Sequence, residues 1–355
     1  MVETIDIKIE KVTHSRIDQV DFDNIVFGRN FSDHMFTADY KNGEWANFQI
    51  VPYQDLKLNP ANSALHYGQS IFEGLKAYRN EKNEVLVFRP DQNARRLRES
   101  AMRMCMPELP EEIFMTGLNK LLELDSAWVP SGKDKSLYIR PFIFAMDDYL
   151  GIRPSDTYKF MIITGPVGAY YSEPVKVKVE TRFSRAVEGG TGAAKTAGNY
   201  AASLYPAKLA QQQGYHQLIW TDSKEHRYIE ESGTMNVMFL IGNKLITANT
   251  GDTILHGITR DCALTLARDW GYEVEERRVS VNEIIEAAKN GELKEAFGTG
   301  TAATITHIAV ISHEGIEYNL PEVGGRTLSN RLLQELDAIK VGITEDKHNW
   351  VYRIL

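Results

Sequence analysis

Strand-length and helix-length apolar patterns follow one another along this chain in no regular βαβ rhythm. That irregularity is the strongest limit on its fold, because a doubly wound parallel sheet needs a crossover helix between successive strands. No Gly-x-Gly-x-x-Gly follows an early strand either. The first 60 residues are polar, with turn signals at Phe27-Gly28, Asn42-Gly43 and Asn59-Pro60. Patterning then predicts a helix over about 67–76 and a hairpin joining Leu75–Tyr78 to Val85–Phe88. Helices are expected over 91–105 and 111–125, and strands over 137–143, 158–164 and 175–180. A helix over 199–213 contains Pro206, which predicts a kink or a later start. Short strands follow at 218–221, 236–241 and 244–247, then helices at 258–269 and 281–289. Further strands lie near 272–275, 305–310 and 316–319, and a last helix begins at Ser329. With 355 residues the chain has room for two domains, each with its own core. The Gly- and Pro-rich stretch 165–173, with Tyr170-Tyr171, marks their division. The expected domains are 1–168 and 182–355, joined by a linker over 169–181.

A composition of 43% hydrophobic and 25% charged residues is that of a folded soluble protein. The net charge of -8 argues against a general nucleic-acid binder. An anionic small substrate remains compatible, because a few arginines set a local field against the global one. Cys105 and Cys262 are the only cysteines, make no CxxC and suit a reducing compartment. No run of 18 apolar residues and no basic or apolar leader is present, so the cytoplasm is the expected location and no membrane is expected as partner. No metal is expected.

The chemistry points first to Lys195, in Gly189-Gly190-Thr191-Gly192-Ala193-Ala194-Lys195-Thr196-Ala197-Gly198-Asn199-Tyr200. Small residues let backbone approach a planar ring closely, so the loop suits a lysine that attaches pyridoxal phosphate (PLP). A flexible turn with an exposed lysine accounts for the local pattern equally well. A phosphate-binding P-loop does not, since Ala194 precedes the lysine and the glycine spacing fails. Gly257-Ile258-Thr259-Arg260 opens a helix and forms either an anion site or an ordinary N-cap. Phe297-Gly298-Thr299-Gly300-Thr301-Ala302 reads as a turn, with or without phosphate on its N–H groups. Glu230 and Glu231 stand just before a strand. They would face opposite ways, so at most one enters a site to partner a pyridine nitrogen. Arg89 and Arg185 are candidates to neutralise phosphate, or else form surface salt bridges.

In joint order and spacing these segments resemble the branched-chain aminotransferases of the class IV PLP enzymes. The likeness extends to Phe31-Ser32-Asp33-His34-Met35, Leu65-His66-Tyr67-Gly68-Gln69-Ser70-Ile71-Phe72-Glu73-Gly74, Phe88-Arg89-Pro90, Ser136-Leu137-Tyr138-Ile139-Arg140-Pro141 and Glu231-Ser232-Gly233-Thr234-Met235-Asn236. It implies an α/β (α+β) chain with the two-domain D-amino-acid-transaminase-like fold (fold type IV), a smaller N-terminal domain and a larger cofactor-binding one. It also implies PLP as cofactor and a homodimer. The implied catalytic residues are Lys195, which attaches the cofactor and carries a proton, Glu231 at the pyridine nitrogen, and Tyr200 on the phenolic oxygen. Arg89, Arg185, Ile258, Thr259 and Thr301 would surround the phosphate. Phe27, Tyr67, Tyr138, Thr234 and Ala302 would line the substrate pocket, with Arg140 accepting the second carboxylate of glutamate.

The implied reaction moves the amino group of leucine, isoleucine or valine to 2-oxoglutarate, so the partners are amino acids and 2-oxo acids. A D-amino-acid transaminase or aminodeoxychorismate lyase would share the lysine and glutamate, but not the matches around Asp33-His34-Met35 or 136–141. A non-catalytic anion-binding protein is the alternative of another class. Ala303 and Thr306 stand where longer animal relatives carry a CxxC redox switch, so thiol regulation there is not expected.

Overall fold

The computed structural model describes residues 5–168 and 173–354. Residues 169–172 of the expected linker, with Tyr170 and Tyr171, lie outside the described residues. In chain order the elements begin β1 (Lys8–Ile9), β2 (His34–Lys41), β3 (Glu44–Pro52), α1 (Ser63–Tyr67), β4 (Ser70–Phe72), β5 (Leu75–Arg79) and β6 (Val85–Phe88). There follow α2 (Pro90–Arg103), α3 (Glu111–Leu124), β7 (Ser136–Ala145), β8 (Tyr158–Val167), β9 (Val175–Val179), α4 (Ala197–Gln212), β10 (Gln217–Thr221), β11 (Tyr228–Ser232) and β12 (Met235–Ile241). The chain ends with β13 (Lys244–Thr247), α5 (Ile258–Asp269), β14 (Glu273–Glu276), β15 (Val279–Ser280), α6 (Val281–Lys289), β16 (Leu293–Gly300), β17 (Thr304–His313), β18 (Ile316–Asn319), α7 (Leu328–Lys340) and β19 (Val351–Arg353).

Two compact units result. One holds Met1–Tyr170, Ala194–Ala197 and Ile339–Leu355; the other holds Tyr171–Ala193 and Gly198–Ala338. The domain expected over 182–355 thus gives up its end. The reason is strand pairing: β19 lies antiparallel on β6, with Val351 opposite Phe88.

The first unit is a sheet in the order β1-β3-β2-β8-β7-β5-β6-β19, with β4 also on β7. Asn42 and Gly43, at φ 57° and 88°, make the tight turn that folds β2 onto β3. The apolar stripes of α2 (Ala94, Leu97, Ala101) and α3 (Ile113, Phe114, Leu118) pack with Phe36, Ile139 and Phe160 in one core. At Gly117 a Cβ would meet the Phe36 ring at 2.8 Å, so a glycine lets α3 approach β2. The helix expected over 67–76 is absent. Helix α1 ends at Tyr67 because Gly68 turns left-handed, at φ 66°. From Ser70 the chain is extended against β7.

The second unit is a sheet in the order β14-β13-β12-β16-β17-β9-β10-β11-β15, with β18 on β17. β11 also pairs with β12, Glu231 opposite Asn236, so β12, β16, β17, β9, β10 and β11 close into a ring. Its core gathers Val177, Ile219, Ile229, Val237, Phe239 and Ile308 with Ile284 and Ile285 of α6. Helix α4 runs through the buried Pro206 with no late start. The two glutamates lie inside β11 rather than ahead of a strand. Gly298 to Gly300 finish β16, and the turn occupies 301–303. Among the described residues no helix is long and apolar enough to cross a membrane.

Candidate active site

In the first unit, Lys195 is fixed through its backbone on both sides. Its N–H donates to Ser100 Oγ on α2 at 3.0 Å, and its carbonyl accepts from the Phe72 N–H at 3.0 Å. The next residue bridges to Ile71, and the Thr196 hydroxyl donates to the Ser70 carbonyl at 2.8 Å. The side chain is half-buried, with Nζ 5.1 Å from the Phe72 ring centre. A small-residue loop is thus docked on β4 and α2, and its amine cannot wander far.

Beside Lys195 lies Glu73, fully buried. Arg96 Nε and Nη2 grip its two carboxylate oxygens at 2.7 and 2.8 Å, and Asn93 donates at 2.7 Å. Burial alone would raise the Glu73 carboxyl. Arg96, joined by the charge of Lys195, more than offsets that and holds it below the ordinary glutamate range.

A line of contacts joins the expected substrate side chains of this unit. Tyr138 and Arg140 are two residues apart on β7, hence on one face. The Phe27 ring meets Tyr138 edge-on at 5.1 Å. Arg140 Nη2 donates to the Tyr138 hydroxyl at 2.8 Å, and its guanidinium lies 4.6 Å from the Phe72 centroid. Phe27 is nevertheless 41% exposed and Tyr67 44%. Tyr67 stands apart from this line, with its ring 6.2 Å from His66. Arg89 takes a left-handed conformation, φ 49°, at the N-cap of α2, with its guanidinium 5.5 Å from the Trp350 ring. A bulky residue held there is strained.

In the second unit, Glu231 is 3% exposed. Its Oε1 accepts from the Leu255 N–H at 2.7 Å and from Asn236 Nδ2 at 3.4 Å. Its Oε2 lies 3.3 Å from Arg185 Nε, an ion pair without the alignment of a hydrogen bond. Arg185 also donates to the carbonyls of Gly192 and Thr253. Arg185, a candidate for the phosphate, lies in this structure beside Glu231. Glu230, expected to face solvent if Glu231 faces a site, is 8% exposed. An interior strand of the ring is covered on both faces, so alternation does not expose either glutamate.

Thr259 is buried at the start of α5, whose N-cap, Gly257, offers no side chain to the first N–H groups. A Cβ on Gly257 would fall 1.9 Å from Asn236 Oδ1, so the glycine keeps this helix start close to Glu231's partner. Ile258, Tyr200, Thr301 and Ala302 are partly buried and Thr234 exposed. Sequence reasoning passed over Phe72, Glu73 and Asn236 as individual residues, although all three sit inside the matched segments. The partners Ser100, Asn93, Arg96 and Leu255 carried no local signal.

The chain matches the family described as amino-transferase class IV over residues 70–311. It is 43% identical over 354 residues to branched-chain-amino-acid aminotransferase 2 of Bacillus subtilis (strain 168), covering 98% of this chain and 97% of that one. The chain belongs to the class IV aminotransferases, in their branched-chain-amino-acid aminotransferase family. Among solved structures it resembles the branched-chain amino acid aminotransferase of Escherichia coli, at TM-score 0.72 and 28% identity over 91% of this chain and 99% of that one. It shares the fold of a Thermobaculum terrenum branched-chain aminotransferase in its PLP form, at TM-score 0.74 and 23% identity over 92% and 99% of the two chains. The fold is therefore the two-domain α+β, D-amino-acid-transaminase-like one. The residues present fit PLP. Lys195 offers an amine, Glu231 a buried carboxylate, and the uncapped start of α5 a set of N–H donors for a phosphate.

Proposed function

We propose that the chain transfers the α-amino group of L-leucine, L-isoleucine or L-valine to 2-oxoglutarate, giving branched 2-oxo acids and L-glutamate, with PLP as cofactor. The observation that carries this reading is the match along nearly the whole chain to the Bacillus subtilis enzyme of that name. When bound, PLP supplies an aldehyde that condenses with amines and a ring that withdraws electrons from the substrate Cα.

The chain's own residues do the rest. Lys195 Nζ holds the cofactor and moves the substrate Cα proton; its anchored backbone keeps the amine in reach of one atom. Glu231, held by Arg185 and the Leu255 N–H, keeps the pyridine nitrogen protonated. Tyr200 donates to the phenolic oxygen. Arg89, Arg185, the Ile258 and Thr259 N–H groups, and Thr301 bind the phosphate, and Arg185 also holds Glu231. Phe27, Tyr67, Tyr138, Thr234 and Ala302 line the substrate pocket. Arg140, braced by Tyr138 and Phe72, accepts the second carboxylate of glutamate. Of the residues proposed to hold the cofactor, Arg185, Tyr200, Glu231, Ile258, Thr259 and Thr301 belong to the second unit, and Lys195 and Arg89 to the first.

The same reading makes the protein a cytoplasmic homodimer with a place in branched-chain amino-acid biosynthesis, and one that acts on neither nucleic acid nor membrane. Two free cysteines and the negative net charge support the compartment and the absence of nucleic acid. Exposed Leu204 and Tyr205 on α4, and Leu150 and Ile152 after β7, support a second copy. Light scattering that returns the mass of one chain would exclude the dimer. The test of function is a substrate profile of the purified protein with PLP. Leucine, isoleucine and valine should each yield glutamate from 2-oxoglutarate. Turnover of D-alanine but of none of the three would contradict the reading.

A further inference from the structure

The last strand, β19, returns to the start of α2 and brings Trp350 against Arg89 at two points. The Arg89 N–H donates to the Trp350 carbonyl at 2.8 Å, and the Arg89 guanidinium lies 5.5 Å from the Trp350 ring centre. That is within the range at which an aromatic ring attracts a cation. The ring is itself fixed. Trp350 is 7% exposed, His348 stacks on it at 4.6 Å, and Phe88 meets it edge-on at 5.9 Å. The turn before it contains Asn349, left-handed at φ 55°, and is closed by the Asp346 carboxylate, which accepts the Val351 N–H at 2.7 Å. Val351 then pairs with Phe88, the residue before Arg89.

Resting on the proposed role of Arg89 at the PLP phosphate, we infer that Trp350 is a positioning residue for that contact, holding the Arg89 guanidinium in place from the C-terminal strand. It touches no reacting atom. A long arginine side chain loses much rotamer freedom when a ligand fixes it, and a contact made beforehand removes part of that loss from the binding step. The ring is neutral, so this contact orients the guanidinium without cancelling the charge that a phosphate needs. A guanidinium held by an aromatic ring also keeps N–H donors for phosphate oxygens. The backbone bond to the Trp350 carbonyl fixes the Arg89 main chain at the same time. Strand β19 thus holds this side chain at its root and at its charged end.

The test compares two affinities, measured by titrating apoprotein and following cofactor absorbance. One is for PLP; the other is for pyridoxal, which has the aldehyde and the ring but no phosphate. Trp350→Met keeps apolar bulk and loses the ring. It should bind PLP about tenfold more weakly and pyridoxal within about twofold of wild type. Trp350→Phe keeps a weaker ring and should lose about threefold, for PLP alone. Arg89→Ala should weaken PLP at least as much as Trp350→Met, and adding Trp350→Met to it should cost less than about twofold more. A tryptophan that only packs against Phe88 would lower both affinities together or neither, and its effect would add to that of Arg89→Ala. Any of these results overturns the inference. Should the methionine variant not fold, the phenylalanine variant decides by the same ratio of affinities. If Arg89→Ala binds PLP as wild type does, the phosphate role of Arg89 fails and this inference with it. A wild-type protein that neither binds PLP nor transaminates removes the functional reading as well.

Discussion

Glu231 shows how much of a residue's role a sequence can carry and where it stops. Its motif position, Glu231-Ser232-Gly233-Thr234-Met235-Asn236, is legible in the chain and singles it out from Glu230. Its partners are not, because the Leu255 N–H and Arg185 reach it across 24 and 46 residues of sequence that no local pattern links. The same limit holds for Arg185: an arginine near Lys195 in sequence signals an anion, but not which one, and the pairing with Glu231 is visible only in the fold. Likewise, alternation along a strand predicts one glutamate in and one out. It fails here because successive residues of β11, Glu230 and Glu231 among them, are buried on both faces of the strand. At this scale we expect Glu231→Gln to retain PLP while turnover with leucine falls by on the order of 10²-fold, as for loss of one preorganised charge contact. Single-turnover spectroscopy checks it. A variant that reacts with leucine as fast as wild type would remove Glu231 from the chemistry.

Elements were legible where the pattern ran long. Helices α2, α3, α5 and α6, and the β5–β6 hairpin, follow from apolar spacing and turn residues. Shorter elements were not. Over 67–76, Ile71, Phe72 and Leu75 fit a helical stripe, but a left-handed Gly68 and ten positions of pairing between β7 and β8 build a sheet that captures the segment as strand. The polar surface of β3 hid the β2–β3 pair, although its Asn42-Gly43 turn was visible.

The connection from β7 to β8 carries its own prediction. Asp147 accepts from the Thr157 hydroxyl at 2.6 Å and from the Thr157 and Asp156 N–H groups at 3.0 Å, and pairs with Arg153 at 2.8 Å. Burial opposes ionisation, but these donors prevail and hold the carboxyl at about 2. A lowered value means the stabilisation is complete above the ordinary aspartate range and is lost as the pH falls through about 2. Asp147→Asn should therefore cost about 1.5–3 kcal/mol near neutrality, by the scale of hydrogen bonds to a charged group. The gap from wild type should close as the pH approaches that value. Denaturant titrations at several pH values measure it; a gap that stays constant with pH would mean the charge is not involved.

For the whole molecule, irregular alternation of strands and helices excluded a doubly wound sheet, and the ordered set of matched segments pointed to the right family. The division of the chain was less visible. Sequence order places residues 339–355 with the C-terminal half, but β19 completes the sheet of the first unit, and Ala194–Ala197 also joins that unit. Contiguous reading cannot anticipate a strand that returns across more than 250 residues. One of those two excursions carries Lys195. The central claim is that Lys195 holds PLP. Borohydride reduction of the cofactor-loaded protein, followed by peptide mapping, tests it most directly. The account predicts a single phosphopyridoxyl label on the peptide containing Lys195, absent from Lys195→Ala. A label on any other lysine of the wild-type protein would contradict it.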